Sequence, residues 1–140
     1  MANFDIALAK VLKKEGGYVN DPADKGGETY KGISRKFHGD NVMWTYIDRY
    51  KDECHGVNAE FKKKLDADKV IGNCVADIYR KSYWAPFALD RVSNQKVAEQ
   101  VFDDAVNRGV GAACKLCCTL LGLPISSKPT KKLLLALEML

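Results

Sequence analysis

Residues 15–33 read EGGYVNDPADKGGETYKGI, and this stretch limits what the chain can fold into more than any other. Its five glycines and single proline leave no run of apolar side chains, so it is neither a core helix nor a buried strand. Tight turns are what it is built for, because glycine takes positive φ without steric cost and Asn-Asp-Pro starts a turn. Ahead of it Phe4, Leu8, Val11 and Leu12 recur at helical spacing. Asn3 is positioned to cap that helix and Gly16 with Gly17 to stop it, which predicts a helix over 4–15 with Glu15 in its last turn. Past the turn at 20–22, the Gly26-Gly27 pair separates two short segments. The pattern predicts a small β-hairpin whose far limb carries Thr29, Tyr30 and Ile33.

From Ser34 onward the pattern is helical, interrupted at Gly39, Gly56, Pro86, Gly109 and Gly122 to Pro124. The spacing predicts a helix over 68–84 with Val70, Ile71, Cys74, Val75, Ile78 and Tyr79 on one face, ended by Pro86. A second helix is predicted over 94–107, burying Val97, Ala98, Val101, Phe102 and Ala105, with Gly109 as its C-cap. In the last segment, PTKKLLLALEML, Pro129 stands at a helix start and the leucines surround the axis instead of striping it. Either that helix is sandwiched in the fold, or a partner subunit (a dimer through the C-terminal helix) or further C-terminal residues cover it.

The 140 residues suffice for one domain with a real core, and the 46% hydrophobic and 29% charged composition is globular. No segment has the apolar length of a membrane span. The N-terminus lacks the unbroken apolar stretch of a signal peptide, so synthesis in the cytoplasm is expected, with another exit route for any action outside it. A net charge of +4 with small clusters at Lys62 to Lys64 and at Lys131 and Lys132 fits solvated helix faces. Base-reading motifs are absent, and no nucleic-acid partner is expected. The five cysteines are an odd set without disulfide-scaffold density. Cys114, Cys117 and Cys118 share helical spacing with Leu121 and have no second ligand pair, so small core residues are expected and no metal.

Glu15 is the sharpest candidate for chemistry. At a helix C-terminus the negative end of the macrodipole favours the protonated acid, which is what a general acid needs. Asp24, on the loop that doubles the chain back, supplies a second carboxylate, and two carboxylates flanking a cleft are the minimum apparatus for cleaving a glycosidic bond. Both Asp24 and Asp21 are equally suited to Asx-turns. The Thr29 hydroxyl is placed to hold a water between the carboxylates. Tyr18, Tyr30, Tyr83 and Trp84 offer rings for stacking on sugar C–H faces, and each is equally well explained as core. His38 and His55 stand apart from any catalytic pattern. Asp103 and Asn107, four apart on one helix face, either brace the fold or line a cleft.

The block Glu15-Gly16-Gly17-Tyr18, Asn20-Asp21-Pro22, Asp24, Gly26-Gly27, Thr29 and Gly32-Ile33 closely resembles the signature of glycoside hydrolase family 108, lysozyme-like muramidases of phage lysis cassettes and of loci beside secretion genes. YRKSYW (79–84) and FDDAVNRG (102–109) resemble the family's second and third landmarks. The resemblance implies a mainly α, lysozyme-like fold with a small β-hairpin after the first helix. It also implies hydrolysis of the β-1,4 bond between N-acetylmuramic acid and N-acetylglucosamine in peptidoglycan. Glu15 matches the family's catalytic acid. Glu15 and Asp24 keep the Glu, Asp, Thr order and spacing of phage-type lysozymes, while Thr29 falls one position early.

On this reading Glu15, Asp24 and Thr29 form the catalytic set, and Tyr18, Asn20, Tyr30, Tyr83, Trp84 and Asn107 contact the glycan strand. No cofactor is required. Residues 1–90 form the catalytic region, and 91–140 resemble the family's peptidoglycan-binding module. KLCCTLLGLPISSKPT carries neither the glutamine nor the DG turn usual there. Action on the cell wall then calls for a holin or a secretion system. The competing expectation is a non-catalytic module that binds peptidoglycan or a secretion component.

Overall fold

The computed structural model describes residues 1–23 and 27–140, so Asp24 lies outside the described residues. Its contacts divide the chain into two compact units, one of Met1–Val11 with Tyr79–Leu140 and one of Leu12–Ile78. Residues 79–90 therefore associate with the segment 91–140. The architecture is mainly α, as the sequence predicts. Helix α1 spans Phe4–Lys14, followed by strands β1 (Tyr18–Asn20), β2 (Glu28–Tyr30) and β3 (Ile33–Ser34) in a three-stranded antiparallel sheet.

In the unit of residues 12–78, the sheet is followed by the one-turn helix α2 (Arg35–His38), then α3 (Met43–Glu53), α4 (Ala59–Ala67) and α5 (Lys69–Tyr79). Its core is aromatic and aliphatic: Tyr18, Tyr30, Ile33, Met43, Trp44, Ile47, Phe61, Leu65, Ile71, Val75 and Ile78 are all buried. Two side-chain caps start the later helices. Asn58 Oδ1 accepts from the Phe61 amide at 2.9 Å and Asp68 Oδ1 from the Ile71 amide at 2.9 Å. Along α5 the buried stripe is Ile71, Val75 and Ile78, while Val70, expected on that face, is 45% exposed. A spacing of four then three keeps Ile71, Val75 and Ile78 over one another, and Val70 falls one residue off that row.

The second unit gathers α6 (Gln95–Arg108), α7 (Val110–Leu121) and α8 (Lys131–Glu138). The predicted single helix over 68–84 changes form after Tyr79: Arg80–Trp84 is a π-helical turn, and short 3₁₀ turns follow at Ala85–Phe87 and Leu89–Arg91. Trp84, at the end of the π turn, packs edge-on against Phe4 (5.3 Å between centroids) and Phe102 (5.4 Å), and Tyr79 meets Phe102 at 6.4 Å. Phe102, Ala98 and Ala105 bury the inner stripe of α6, and Cys114, Cys117 and Cys118 that of α7, as the spacing predicts for small core residues. Val97 is only half-buried. Gly109, at φ +87°, joins α6 to α7 in a conformation that favours glycine.

Helix α8 begins two residues later than Pro129, with Thr130 as its cap: Oγ1 accepts from the Leu133 amide at 3.2 Å. It buries Leu133 and Leu137, one turn apart, and leaves Leu135 and Met139 exposed. The structure thus turns the run of leucines into a conventional stripe with apolar residues left over on the outer side. Among the described residues, no helix is long and apolar enough to cross a membrane.

Candidate active site

Glu15 is the first residue past α1, one position beyond the predicted last turn, and is half-buried. Gly16 and Gly17 end the helix, as the sequence predicts. Neither takes positive φ, and a Cβ at either would meet open space. Two residues of low helix propensity in succession, each costing about 1 kcal/mol relative to alanine, are enough to stop the helix without a left-handed cap. The chain then runs straight into β1, and the Lys31 amide donates to the Gly17 carbonyl at 3.2 Å. The Glu15 carboxylate has no hydrogen bond or ion pair among the described residues.

Positive φ appears instead on the far side of the sheet. Gly27 (φ +61°) leads into β2, and Lys31 (φ +47°) with Gly32 (φ +80°) forms the two-residue link to β3. Positive φ at both central residues is the signature of a type I′ turn, whose twist matches that of the strands it joins. The register pairs Tyr18 with Tyr30, Val19 with Thr29 and Asn20 with Glu28 across β1 and β2, and Thr29 with Ser34 across β2 and β3. Thr29 therefore sits half-buried at the centre of the middle strand, with a neighbour on each side. Asp21 Oδ1 accepts from the Ala23 amide at 2.9 Å, the Asx-turn geometry weighed from the sequence.

Behind the sheet lies an ionic cluster that sequence reasoning missed. Glu28 accepts from the Tyr18 hydroxyl, from Lys51 Nζ at 2.7 Å and from Arg35 Nη1 at 2.9 Å. Arg35 also forks onto Asp48 at 2.7 and 2.6 Å. Burial pushes the Glu28 carboxyl up, but the hydrogen bonds from Lys51, Tyr18 and Arg35 outweigh it and hold it below the ordinary carboxylate range. The Asp48 carboxyl is likewise held down by Arg35. Burial and the Glu28 carboxylate together raise the Tyr18 phenol, and burial with Asp66, 2.8 Å away, raises that of Tyr30 strongly. Both tyrosines are structural donors that keep their protons. Only the GGETYKGI string hinted at Glu28, by placing an acid at the start of a strand.

The rings expected to stack on sugar divide by burial. Tyr18, Tyr30 and Trp84 are core side chains, at 6%, 1% and 1% exposure, so the core explanation holds for them and they offer no free ring face. Trp84 Nε1 donates to Asp90 at 2.9 Å, and Asp90 also pairs with Arg80 at 3.2 Å. Tyr83 is half-buried and leans on Tyr79 at 5.7 Å. Asn107 is exposed near the end of α6, and Asp103 is half-buried one turn before it. Asn20 is exposed and lines a surface depression of ≈ 460 Å³ with Tyr18, Val19, Val57 and Lys62. Among the described residues, no three His, Cys, Asp or Glu side chains converge to hold a metal ion.

An α-rich chain whose first helix exits past a glutamate into a small antiparallel sheet is of the lysozyme-like class. The family model for glycosyl hydrolase 108 matches residues 8–109, and the chain belongs to that family. The solved structure of Brucella abortus SagA is similar to it at 28% identity and a TM-score of 0.64, the alignment covering 98% of this chain and 69% of that one. A comparison with curated proteins gives no match. Membership places the chain among glycoside hydrolases and, at the level of the family, among peptidoglycan hydrolases.

Proposed function

We propose that the chain is an N-acetylmuramidase that cleaves the β-1,4 bond between N-acetylmuramic acid and N-acetylglucosamine, with Glu15 as general acid. The observation that carries this reading is Glu15 itself: a half-buried carboxyl at the exit of α1, inside the matched region and unengaged by any described side chain. Glu15 gives its proton to the glycosidic oxygen as the bond to the anomeric carbon breaks. Asp24 activates the attacking water or stabilises the oxocarbenium-like transition state, and the Thr29 hydroxyl orients that water. Carboxyl groups about 6.5–9.5 Å apart give inversion and about 5–5.5 Å retention, so the anomer released reports their separation.

Asn20 contacts the glycan, while Tyr18 and Tyr30 support the surface around it from inside; in the other unit Tyr83 and Asn107 offer contacts to the strand, with Trp84 as a core side chain there. No cofactor enters the reaction. The enzyme reaches the wall through a holin or a secretion system, in phage lysis or secretion-linked wall remodelling, and residues 91–140 add wall contacts.

The deciding assay is turbidity clearing of purified cell walls together with release of reducing ends. Glu15→Gln should lower the rate by about 10²–10⁴, the scale of a lost general acid. Lysis by Glu15→Gln at the parent's rate would refute the assignment. A parent protein that sediments with walls yet releases no reducing ends would make the chain a binding module.

A further inference from the structure

We propose that the depression lined by Tyr18, Val19, Asn20, Val57 and Lys62 is a subsite for the carboxylate-bearing peptide stem of the glycan strand; the ligand class rests on the muramidase reading. The floor is held rigid. The Tyr18 ring packs edge-on against Phe61, with centroids 5.0 Å apart, its hydroxyl is fixed by Glu28, and the Lys51 ammonium lies 5.6 Å from its ring centre. A preformed floor spares a ligand the cost of ordering it.

The rim is chemically distinct from the floor. Lys62 is exposed and has no ion pair among the described residues, whereas its helix neighbour Lys64 pairs with Glu60 at 3.4 Å. Asn20 is also exposed, its carboxamide without a partner among the described residues, and Val19 and Val57 are 47% and 48% exposed. One cation and one amide unpaired among the described residues, with two branched apolar side chains, fit a short peptide that carries a carboxylate beside small methyl groups. The sugars of the strand are uncharged once the lactyl group is amide-linked, so the stem is the part of the polymer that supplies the anion. At ≈ 460 Å³ the depression is of a size to take it.

The test titrates N-acetylmuramyl-L-alanyl-D-glutamate, and the same compound with its carboxylates amidated, into the full chain followed by ¹H–¹⁵N NMR. The acid should shift the Asn20, Val57 and Lys62 amides. Lys62→Gln should weaken it about threefold, the scale of one partly exposed ion pair, and Lys63→Gln, on the same helix, should not. Amidated probe should bind the parent no better than the acid binds Lys62→Gln, and added salt should narrow the difference. Shifts confined to other residues, or an unchanged Kd in Lys62→Gln, would overturn the proposal. The two readings separate cleanly: a parent that binds the probe here but leaves walls intact loses only the muramidase assignment, and one that cleaves walls without these shifts loses only the stem subsite.

Discussion

Replacing Glu28 by glutamine removes the anion on which Tyr18, Arg35 and Lys51 converge. A hydrogen bond to a charged group contributes about 1.5–3 kcal/mol when shielded from water. Here the Arg35 and Lys51 side chains are 36% and 30% exposed, so solvent screening reduces each to about 1 kcal/mol. Both cations also keep Asp48, Arg35 at 2.6 Å and Lys51 at 3.9 Å, and the glutamine oxygen still accepts from one donor. The expected loss is about 2 kcal/mol, or roughly 8 °C in Tm at this chain length. The pH dependence fixes the cause. The folded carboxyl is held below its ordinary value, so its contribution is complete above that value and is lost as pH falls through the lowered one. Thermal unfolding followed by circular dichroism should therefore show a constant gap between parent and variant from pH 7 down to about pH 5, closing below about pH 4. A variant as stable as the parent at pH 7, or a gap undiminished at pH 3, refutes the reasoning.

Phe102→Ala should cost about 3–5 kcal/mol in chemical denaturation, because the ring is fully buried against Phe4, Trp84 and Tyr79 and its removal leaves a cavity; a loss below 1 kcal/mol would mean the cluster collapses around the gap. Native labelling with iodoacetamide, read by peptide mass spectrometry, should modify Cys74 first. Cys54, Cys114, Cys117 and Cys118 are buried, burial pushes the Cys114 thiol up to about 11, and labelling of any of them should require denaturant.

The helical part of the fold was legible because its signals are local. Ala98, Val101, Phe102 and Ala105, and the cysteines of α7, declare their buried faces by spacing alone. The glycine-rich block announced turns but not their assignment. Gly16 and Gly17 stop the first helix as expected, while the positive φ falls at Gly27, Lys31 and Gly32. Strand β3 is two residues long, too short to show an alternation. Tyr18, Tyr30 and Trp84 are ambiguous in any sequence, since the same ring suits a core and a sugar, and only burial separates the two uses. The Glu28 cluster was out of reach because its cationic partners lie 7 and 23 residues on, brought in by α2 and α3. Glu15 stands out as a candidate because a specific motif surrounds it, and it lies just past α1.

The π turn at Arg80–Trp84 carries a consequence for reading frame along the helix. A π turn closes its hydrogen bonds one residue later than an α-helix, so it accommodates one more residue than the same stretch of α-helix would. Through the turn the side chains fall progressively out of α-helical phase, by about 100° at its end. That rotation delivers Trp84 to Asp90, Phe4 and Phe102. Deleting one residue between Arg80 and Tyr83 would bring the segment back into phase and swing the indole out of its aromatic socket.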